Sequence, residues 1–559
     1  MKIKWIDKLC FCLFLTALMA IFTATAAIPQ KALDVTQKGN AYTKYWSFCV
    51  GAGRANEGLR VGWMEQLKQA KENCGFRYVR MHGLFHDDMC VYTEKKGQPP
   101  VYSWMYIDEL FDRMLQQGVR PFIELSFFPS KMAGKNPETG VSKTQFWWKA
   151  SITPPEKFDK WEGLVKAFTQ HCVDRYGINE VLSWYFEVWN EPNLDHVFFD
   201  GDKSQYFELY KVSVNAVRSV DGRLKVGGPA TSNFVPDARF DGERENVKGI
   251  NEIFSTPDLN TLNWHAVWVE DFLKYCQKEN LPVDFVSCHP YPTDYAFNPN
   301  TGKGEGRTRK VFATFRDMSW LSNVVKKSAY PKAEIHLTEW SSSPSSRDRN
   351  HDMLHVAAYI IKVNLDCIGL ANSLSYWTFT DVFEEVNNAG VSIFHGGFGM
   401  INFQGLVKPS YHAYRMLNAL GDEILYREEG KFISRNSRTK KVSSLLYYYP
   451  EEMKEAIPDR GDEEVAASYG FPAKKFTLAL KNLKPGAVFK VEILDEASGN
   501  VYKNWKDMGS PEPPTREQIK KLRLSAENLQ TETLKVDSKG MLVWEKALKP
   551  WSCVLITEK

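Results

Sequence analysis

Cysteine is scarce in this chain: ten residues in 559, of which the eight after Cys10 and Cys12 are scattered singly, with no Cys-x-x-Cys among them. A disulfide framework is therefore not indicated, and the eight that follow Cys12 read mostly as small buried apolar side chains. Charge of one sign is lacking too. The formal net charge is +3, with 71 Lys and Arg against 68 Asp and Glu, and there is neither a basic stripe nor an acidic tail. Nucleic acid is thus not a partner that the composition points to. Long apolar runs are missing except near the start, where Lys2, Lys4 and Lys8 precede a stretch from Leu9 to Phe22 and Ala24-Thr25-Ala26 follows. That order of charge, apolar core and small residues is a secretory signal over residues 1–27, too short for an ordinary membrane span; an uncleaved anchor is the alternative. The expectation is an exported protein, periplasmic or secreted, with no membrane attachment once the signal is cleaved. No cysteine sits just beyond the run to carry a lipid. What is present is the composition of a soluble globular protein, 43% hydrophobic and 25% charged, long enough for one large domain and one smaller one.

After a lead-in over 28–44, which could join a C-terminal sheet, short β-branched and aromatic runs alternate with longer amphipathic stretches. The strands fall at 45–50, 78–82, 121–126, 183–190, 225–229, 283–289, 334–339 and 373–379. The helices fall at 62–74, 105–117, 155–176, 205–220, 267–279, 312–327, 353–370 and 410–420. Eight strands with eight crossovers predict a parallel (β/α)8 barrel of the TIM type over 45–420. From 421 to 559 the pattern becomes short alternating runs separated by Pro, Gly and Asn turns, which predicts an accessory β-sandwich. Two long loops, 233–263 and 293–310, leave strand ends at the expected barrel mouth, where loops of that length usually serve a function.

The stretch that organises the chemistry is Trp184-Tyr185-Phe186-Glu187-Val188-Trp189-Asn190-Glu191-Pro192. A dense buried-strand run stops at Asn-Glu-Pro, and proline cannot extend a ladder, so Glu191 sits at the end of a barrel strand, where such barrels keep their active sites. A carboxyl group there, between apolar walls, is a candidate acid of raised pKa. Glu339 ends the seventh strand as Glu191 ends the fourth, three βα units away, and the two should face each other across one mouth. Glu187 lies four residues deeper, roughly 13 Å at 3.3 Å per residue, and reads as structural; Asp284, at the start of its strand, is excluded on the same ground. His289 and Tyr291, at the end of strand six, fall beside Glu339. The His82-Gly83-Leu84-Phe85-His86-Asp87-Asp88 segment has two histidines four apart, but it follows a strand and contains glycine. Recognition of sugar hydroxyls is therefore preferred to a metal site, and no metal or cofactor is expected. Phe128, Trp189, Trp340 and Trp377 lie near strand ends, where aromatic rings can stack on a sugar or simply pack the core.

These stretches together resemble glycoside hydrolase family 39, and within it the bacterial β-xylosidases. The resemblance rests on Val50-Gly51-Ala52-Gly53-Arg54-Ala55, Arg80-Met81-His82-Gly83, Glu187-Val188-Trp189-Asn190-Glu191-Pro192-Asn193, Leu337-Thr338-Glu339-Trp340, Phe394-His395-Gly396-Gly397-Phe398-Gly399 and Gly509-Ser510-Pro511-Glu512-Pro513-Pro514. It implies a retaining exo-glycosidase with Glu191 as acid/base and Glu339 as nucleophile, whose carboxyl groups should stand about 5–5.5 Å apart. It further implies that Asn190 holds the hydroxyl beside the reacting carbon, that His289 and Tyr291 orient the sugar and Glu339, and that Arg80 supports the nucleophile. Trp377 would floor the pocket, and His82 with His86 and Asp87 would line the glycone side. The substrate implied is an oligosaccharide or glycoside carrying β-xylose at its non-reducing end. An arabinosidase, a β-glucosidase or β-galactosidase, an α-L-iduronidase and a non-catalytic sugar-binding barrel are the alternatives, and a homo-oligomer is possible. The 233–263 stretch departs from the xylosidase pattern as an apparent insertion.

Overall fold

Each barrel strand presents its even-numbered or odd-numbered residues to a shared interior and the others to surrounding helices, except where irregularities toward the strand ends interrupt the alternation. In the computed structural model the described residues are 32–135, 140, 142–144, 146–235, 241–244, 261–298, 303–384, 390–453, 456–457 and 463–559. The expected signal over 1–27 and most of the 233–263 insertion lie outside them. Eight parallel strands close into a barrel: β1 (Cys49–Arg54), β2 (Tyr78–His82), β3 (Arg120–Leu125), β4 (Tyr185–Val188), β5 (Lys225–Ser232), β6 (Phe285–His289), β7 (Glu334–Trp340) and β8 (Ser373–Tyr376). The helices between and after them are α1 (Val61–Cys74), α2 (Met105–Gln116), α3 (Asp159–Tyr176), α4 (Lys203–Val220), α5 (Val269–Lys278), α6 (Ala313–Lys327), α7 (His355–Asp366) and α8 (Pro409–Asn418). Local signals set their ends. Gly75 closes α1 in the left-handed conformation, Asp202 and Gln205 cap α4 reciprocally, and Pro409 occupies the first turn of α8.

The TIM-barrel expectation is met, with a shift at the first strand. The aromatic run 45–47 forms a 3-10 turn, with Tyr45 and Trp46 buried, and the strand itself is Cys49–Arg54. Strand β5 runs on past Pro229 to Ser232.

Inside the barrel the side chains stack in layers. The bottom layer is a cluster separate from the helix-facing core: Cys49, Tyr78, Phe122, Tyr185 and Phe285, with the Phe122 and Tyr185 rings 5.0 Å apart and almost parallel. Two residues further along the same strands the interior becomes charged, with Arg80, Glu124 and Glu187 all fully buried. The next layer is the mouth. An aromatic floor under it therefore forces the buried charges to be satisfied by one another.

Beyond the barrel, β9 (Glu423–Glu428), β10 (Lys431–Arg435), β11 (Val442–Tyr447), β12 (Lys474–Lys481), β13 (Val488–Leu494), β14 (Gln530–Lys535), β15 (Leu542–Leu548) and β16 (Cys553–Glu558) make two facing sheets. The larger runs β9-β10-β11-β16-β13-β14, extended at β9 by Asn40–Ala41; the smaller pairs β12 with β15, extended at β12 by Leu33–Asp34. The lead-in thus contributes a strand to each sheet. Val35, Leu446, Phe489, Val491 and Trp544 fill the space between them. Phe432, Leu445 and Trp551 instead join the barrel's core, which seats β11 on α7, and Arg415 of α8 pairs with Glu492 of β13 at 3.2 Å. All eight cysteines of the described residues are unpaired, and only Cys90 is exposed.

Candidate active site

Trp189 and Glu191 both take positive φ, 74° and 44°, in residues that have a Cβ. Such strain clusters at functional positions, and here it breaks the strand's alternation just after β4, so that Asn190 and Glu191 both turn into the mouth. The Glu191 amide donates to the Ala230 carbonyl at 2.9 Å, which pins the kink to β5. Glu339, in β7, follows the inward-facing His336 and Thr338, and an irregularity between Leu337 and Trp340 in the pairing of β7 with β8 lets it turn into the mouth as well.

The two carboxyl groups meet. One oxygen of Glu191, one of Glu339 and an imidazole nitrogen of His289 lie within 4.8 Å of one another, and both glutamates are all but buried, at 6% and 5% exposure. Inverting glycosidases hold their carboxyl groups about 6.5–9.5 Å apart to admit a water, so this spacing falls on the retaining side.

Their surroundings set them apart chemically. Arg80 places Nη1 2.9 Å from Glu339 Oε1, Nη2 2.9 Å from Asn190 Oδ1 and from Glu124 Oε2, and Nε 2.5 Å from Glu187 Oε2. Burial alone would lower the guanidinium's pKa, but Glu187, Glu124 and Glu339 outweigh it and raise it, so Arg80 is a fixed cation. Tyr291 donates to Glu339 Oε2 at 3.1 Å, and Glu339 thereby has a donor on each oxygen, as a carboxylate nucleophile requires. Glu191 has no such arginine contact among the described residues. Burial pushes its pKa up to about 7, against the opposing pull of Ser232, His82 and Arg80. Glu339 is thus faced by two donors, while burial lets Glu191 hold its proton up to about neutrality, the division of labour that acid-assisted displacement needs.

His82 Nδ1 donates to Glu124 Oε2, 2.7 Å away, and the ring stands 3.6 Å from Glu339 Oε1. Burial would push the Glu124 carboxyl's pKa up, but His82 and Arg80 hold it below its ordinary value. His82 also lies among rings: Trp377 at 4.9 Å, Phe146 at 5.9 Å and Phe127 at 6.2 Å between centroids. Trp377 packs with Phe383 and Phe398. The segment carrying Phe398 is held by a buried set in which Lys408 pairs with Asp352 and Asp381, each at 2.6 Å, while Asp352 accepts from Gly396 N and Asp381 from Gly399 N. This accounts physically for the Gly396-Gly397-Phe398-Gly399 motif.

Arg80, His82, Asn190, Glu191, His289, Tyr291, Glu339 and Trp377 are therefore brought to one mouth. His86 and Asp87 are not brought to the carboxyl pair. His86 is bonded to Asp88 at 2.7 Å and set edge-on to Trp148, and the exposed Asp87 accepts from Ser130 N. His289 also has a different partner from the one expected: its Nδ1 is 2.9 Å from Glu191 and 3.7 Å from Glu339. Glu187 lies in the layer below, with Thr338 bonded to it directly and Glu124 tied to it through Arg80, two residues that no sequence motif singles out as part of the site. Their signal was available in the alternation Phe122, Glu124, Ser126 and His336, Thr338, which points polar groups into the barrel.

Among the described residues, two clusters have donor sets that a cation would accept. In Glu191, His289 and Glu339 the Arg80 guanidinium already supplies the positive charge; in Asp195, His196 and Asp200, Arg244 is bonded to Asp195 at 2.8 Å. Neither set calls for a metal.

Comparison with known proteins points the same way. The family model described as glycosyl hydrolases family 39 matches residues 31–248 and 261–542. A β-xylosidase of Geobacillus stearothermophilus is 34% identical over 516 residues, 90% of each chain. The crystal structure of a monomeric β-xylosidase from Caulobacter crescentus superposes with a TM-score of 0.79 at 31% identity, covering 94% of this chain and 98% of that one. More distantly, an α-L-iduronidase of Mus musculus is 22% identical over 531 residues, 89% of this chain and 75% of that protein.

Proposed function

The chain belongs to glycosyl hydrolase family 39 and is a retaining hydrolase of glycosidic bonds; on that premise we propose that it is an exo-acting β-xylosidase, releasing β-xylose from the non-reducing ends of xylo-oligosaccharides. In this reading Glu339 attacks the anomeric carbon as the bond to the leaving oxygen breaks, and the proton of Glu191 passes to that oxygen. Water then attacks the same carbon, gives its proton to Glu191 and expels Glu339, so that two inversions leave the configuration unchanged. The Asn190 amide nitrogen is buried with no hydrogen-bond partner among the described residues, and it is assigned to the hydroxyl beside the reacting carbon.

The observation that supports a neutral sugar over a uronate concerns the cations. The two arginines on the strands that reach the mouth, Arg54 and Arg80, are both already neutralised. Arg54 pairs with Asp88 and with Glu384, the latter at 2.6 Å, and Arg80 is shared among Glu124, Glu187 and Glu339. A sugar carboxylate would have to break one of these pairs, at a cost of about 3–5 kcal/mol for a buried one. Aryl glycosides of β-xylose, α-arabinose, β-glucose, β-galactose and α-iduronate, with the first-formed anomer followed by proton NMR, test the proposal. The β-xyloside is expected to have the highest kcat/KM and to release β-xylose first. A preference for the iduronide, or release of the α-anomer from a β-xyloside, would overturn it.

A further inference from the structure

Four buried groups from three barrel strands form one hydrogen-bonded line beneath the acid. Glu187 Oε1 lies 2.8 Å from Thr338 Oγ1, Thr338 Oγ1 lies 2.9 Å from His289 Nε2, and His289 Nδ1 lies 2.9 Å from Glu191 Oε1. Glu187, Thr338 and His289 are fully buried, and the three bonds between these groups and Glu191 are direct. The direction of each bond then follows by counting protons. The Glu187 carboxylate already accepts from Arg80 Nε and offers only lone pairs, so the Thr338 hydroxyl donates to it. A threonine hydroxyl has one proton, so Thr338 Oγ1 can only accept from His289, which must carry its hydrogen on Nε2. Burial holds the imidazole neutral, its pKa pushed down to about 4, and a neutral ring has a single N–H. Nδ1 therefore faces Glu191 with a lone pair, and a carboxylate there would set acceptor against acceptor.

We propose that Glu187, acting through Thr338 and His289, is a positioning residue that holds His289 in the Nε2–H tautomer and thereby favours the protonated form of Glu191. This rests on Glu191 being the acid/base of the reaction. The consequence spans both steps: Glu191 keeps its proton until the leaving oxygen takes it, and then draws one from the attacking water more strongly. The charged and titratable groups facing Glu191 and His289 are Arg80 and His82 from β2, Glu124 from β3, Glu187 from β4 and Glu339 from β7. A change at Thr338 alters the line without removing any of them.

Histidine-selective 15N NMR of the wild-type protein, with His289 assigned by His289→Gln, reads the tautomer directly and needs no altered line. Nδ1 is expected to be unprotonated and Nε2 protonated; a protonated Nδ1 would overturn the proposal. Thr338→Val frees the ring to turn an N–H toward Glu191, which favours the carboxylate. The alkaline limb of kcat/KM should then move down by about one pH unit, and Thr338→Ser should restore it. The loss should be larger for a phenyl than for a dinitrophenyl glycoside. If Glu191→Ala abolishes the alkaline limb but Thr338→Val leaves it in place, this proposal alone fails. If the limb survives Glu191→Ala, the acid is another group and the reading of the reaction fails first.

Discussion

Replacing Glu191 by alanine should change how the rate depends on both pH and leaving group, and the structure gives the scale. Burial carries the carboxyl from its ordinary 4.5 to about 7, a difference worth roughly 3 kcal/mol in favour of the neutral form. Near pH 5 about one molecule in a hundred would then have Glu191 ionised, so nearly all are ready to donate, whereas above pH 7 each further unit should cost about tenfold in kcat/KM. General-acid assistance is typically worth about 10²–10⁴-fold for a leaving group that cannot depart as an anion. The assay is kcat/KM for phenyl and 2,4-dinitrophenyl β-xylosides between pH 4.5 and 9. Glu191→Ala is expected to lose on the order of 10²–10⁴-fold on the phenyl substrate, much less on the dinitrophenyl one, and to have no alkaline limb near pH 7. Equal losses on the two substrates, or a limb that persists without Glu191, would refute the assignment of the proton donor.

Stability should respond to the same carboxyl with a definite sign. Because its folded pKa is raised, the neutral form's contribution is fully present below about 4.5 and lost as pH rises through about 7. Glu191→Gln should therefore raise the melting temperature at pH 8.5 by a few degrees and hardly at all at pH 5; calorimetry at both values checks this. Arg80→Met leaves Glu124, Glu187 and Glu339 without their shared cation, so unfolding should be easier by about 3–5 kcal/mol and turnover on every glycoside should fall, measured by denaturant titration and steady-state kinetics. A Cβ at Gly51 would lie 2.2 Å from the Trp377 ring, so Gly51→Ala should displace the pocket floor, destabilise by about 1–3 kcal/mol and raise KM for the glycone more than it lowers kcat.

The positions of Glu191 and Glu339 were legible because both stand where a dense β-branched and aromatic run meets a break, and a parallel barrel brings such ends together. What was less legible follows from the same physics. Tyr45-Trp46-Ser47 has strand-like residues, but burial of its two aromatic side chains is satisfied as well by a tight turn, and β1 starts four residues later. Glu187 could be placed below the mouth by counting along the strand, yet its tie to Thr338 and His289 depends on how three strands are staggered in the closed barrel, which spacing within one strand does not specify. The partner of His289 is a choice between 2.9 and 3.7 Å, decided by the kink at Trp189 and Glu191. His86 and Asp87 follow β2 closely in sequence, but the turn after Gly83 carries them outward to Asp88 and Ser130.

The central claim is that Glu339 forms a bond to the sugar while Glu191 handles the proton, and trapping that bond tests it most directly. A 2-deoxy-2-fluoro-β-xylosyl fluoride slows the second step more than the first, so the glycosyl-enzyme should accumulate and be found by mass spectrometry. The label is expected on the peptide containing Glu339, one sugar per chain, and to be absent from Glu339→Ala. Attachment to any other residue, or turnover of β-xylosides to α-xylose with no adduct, would contradict the account.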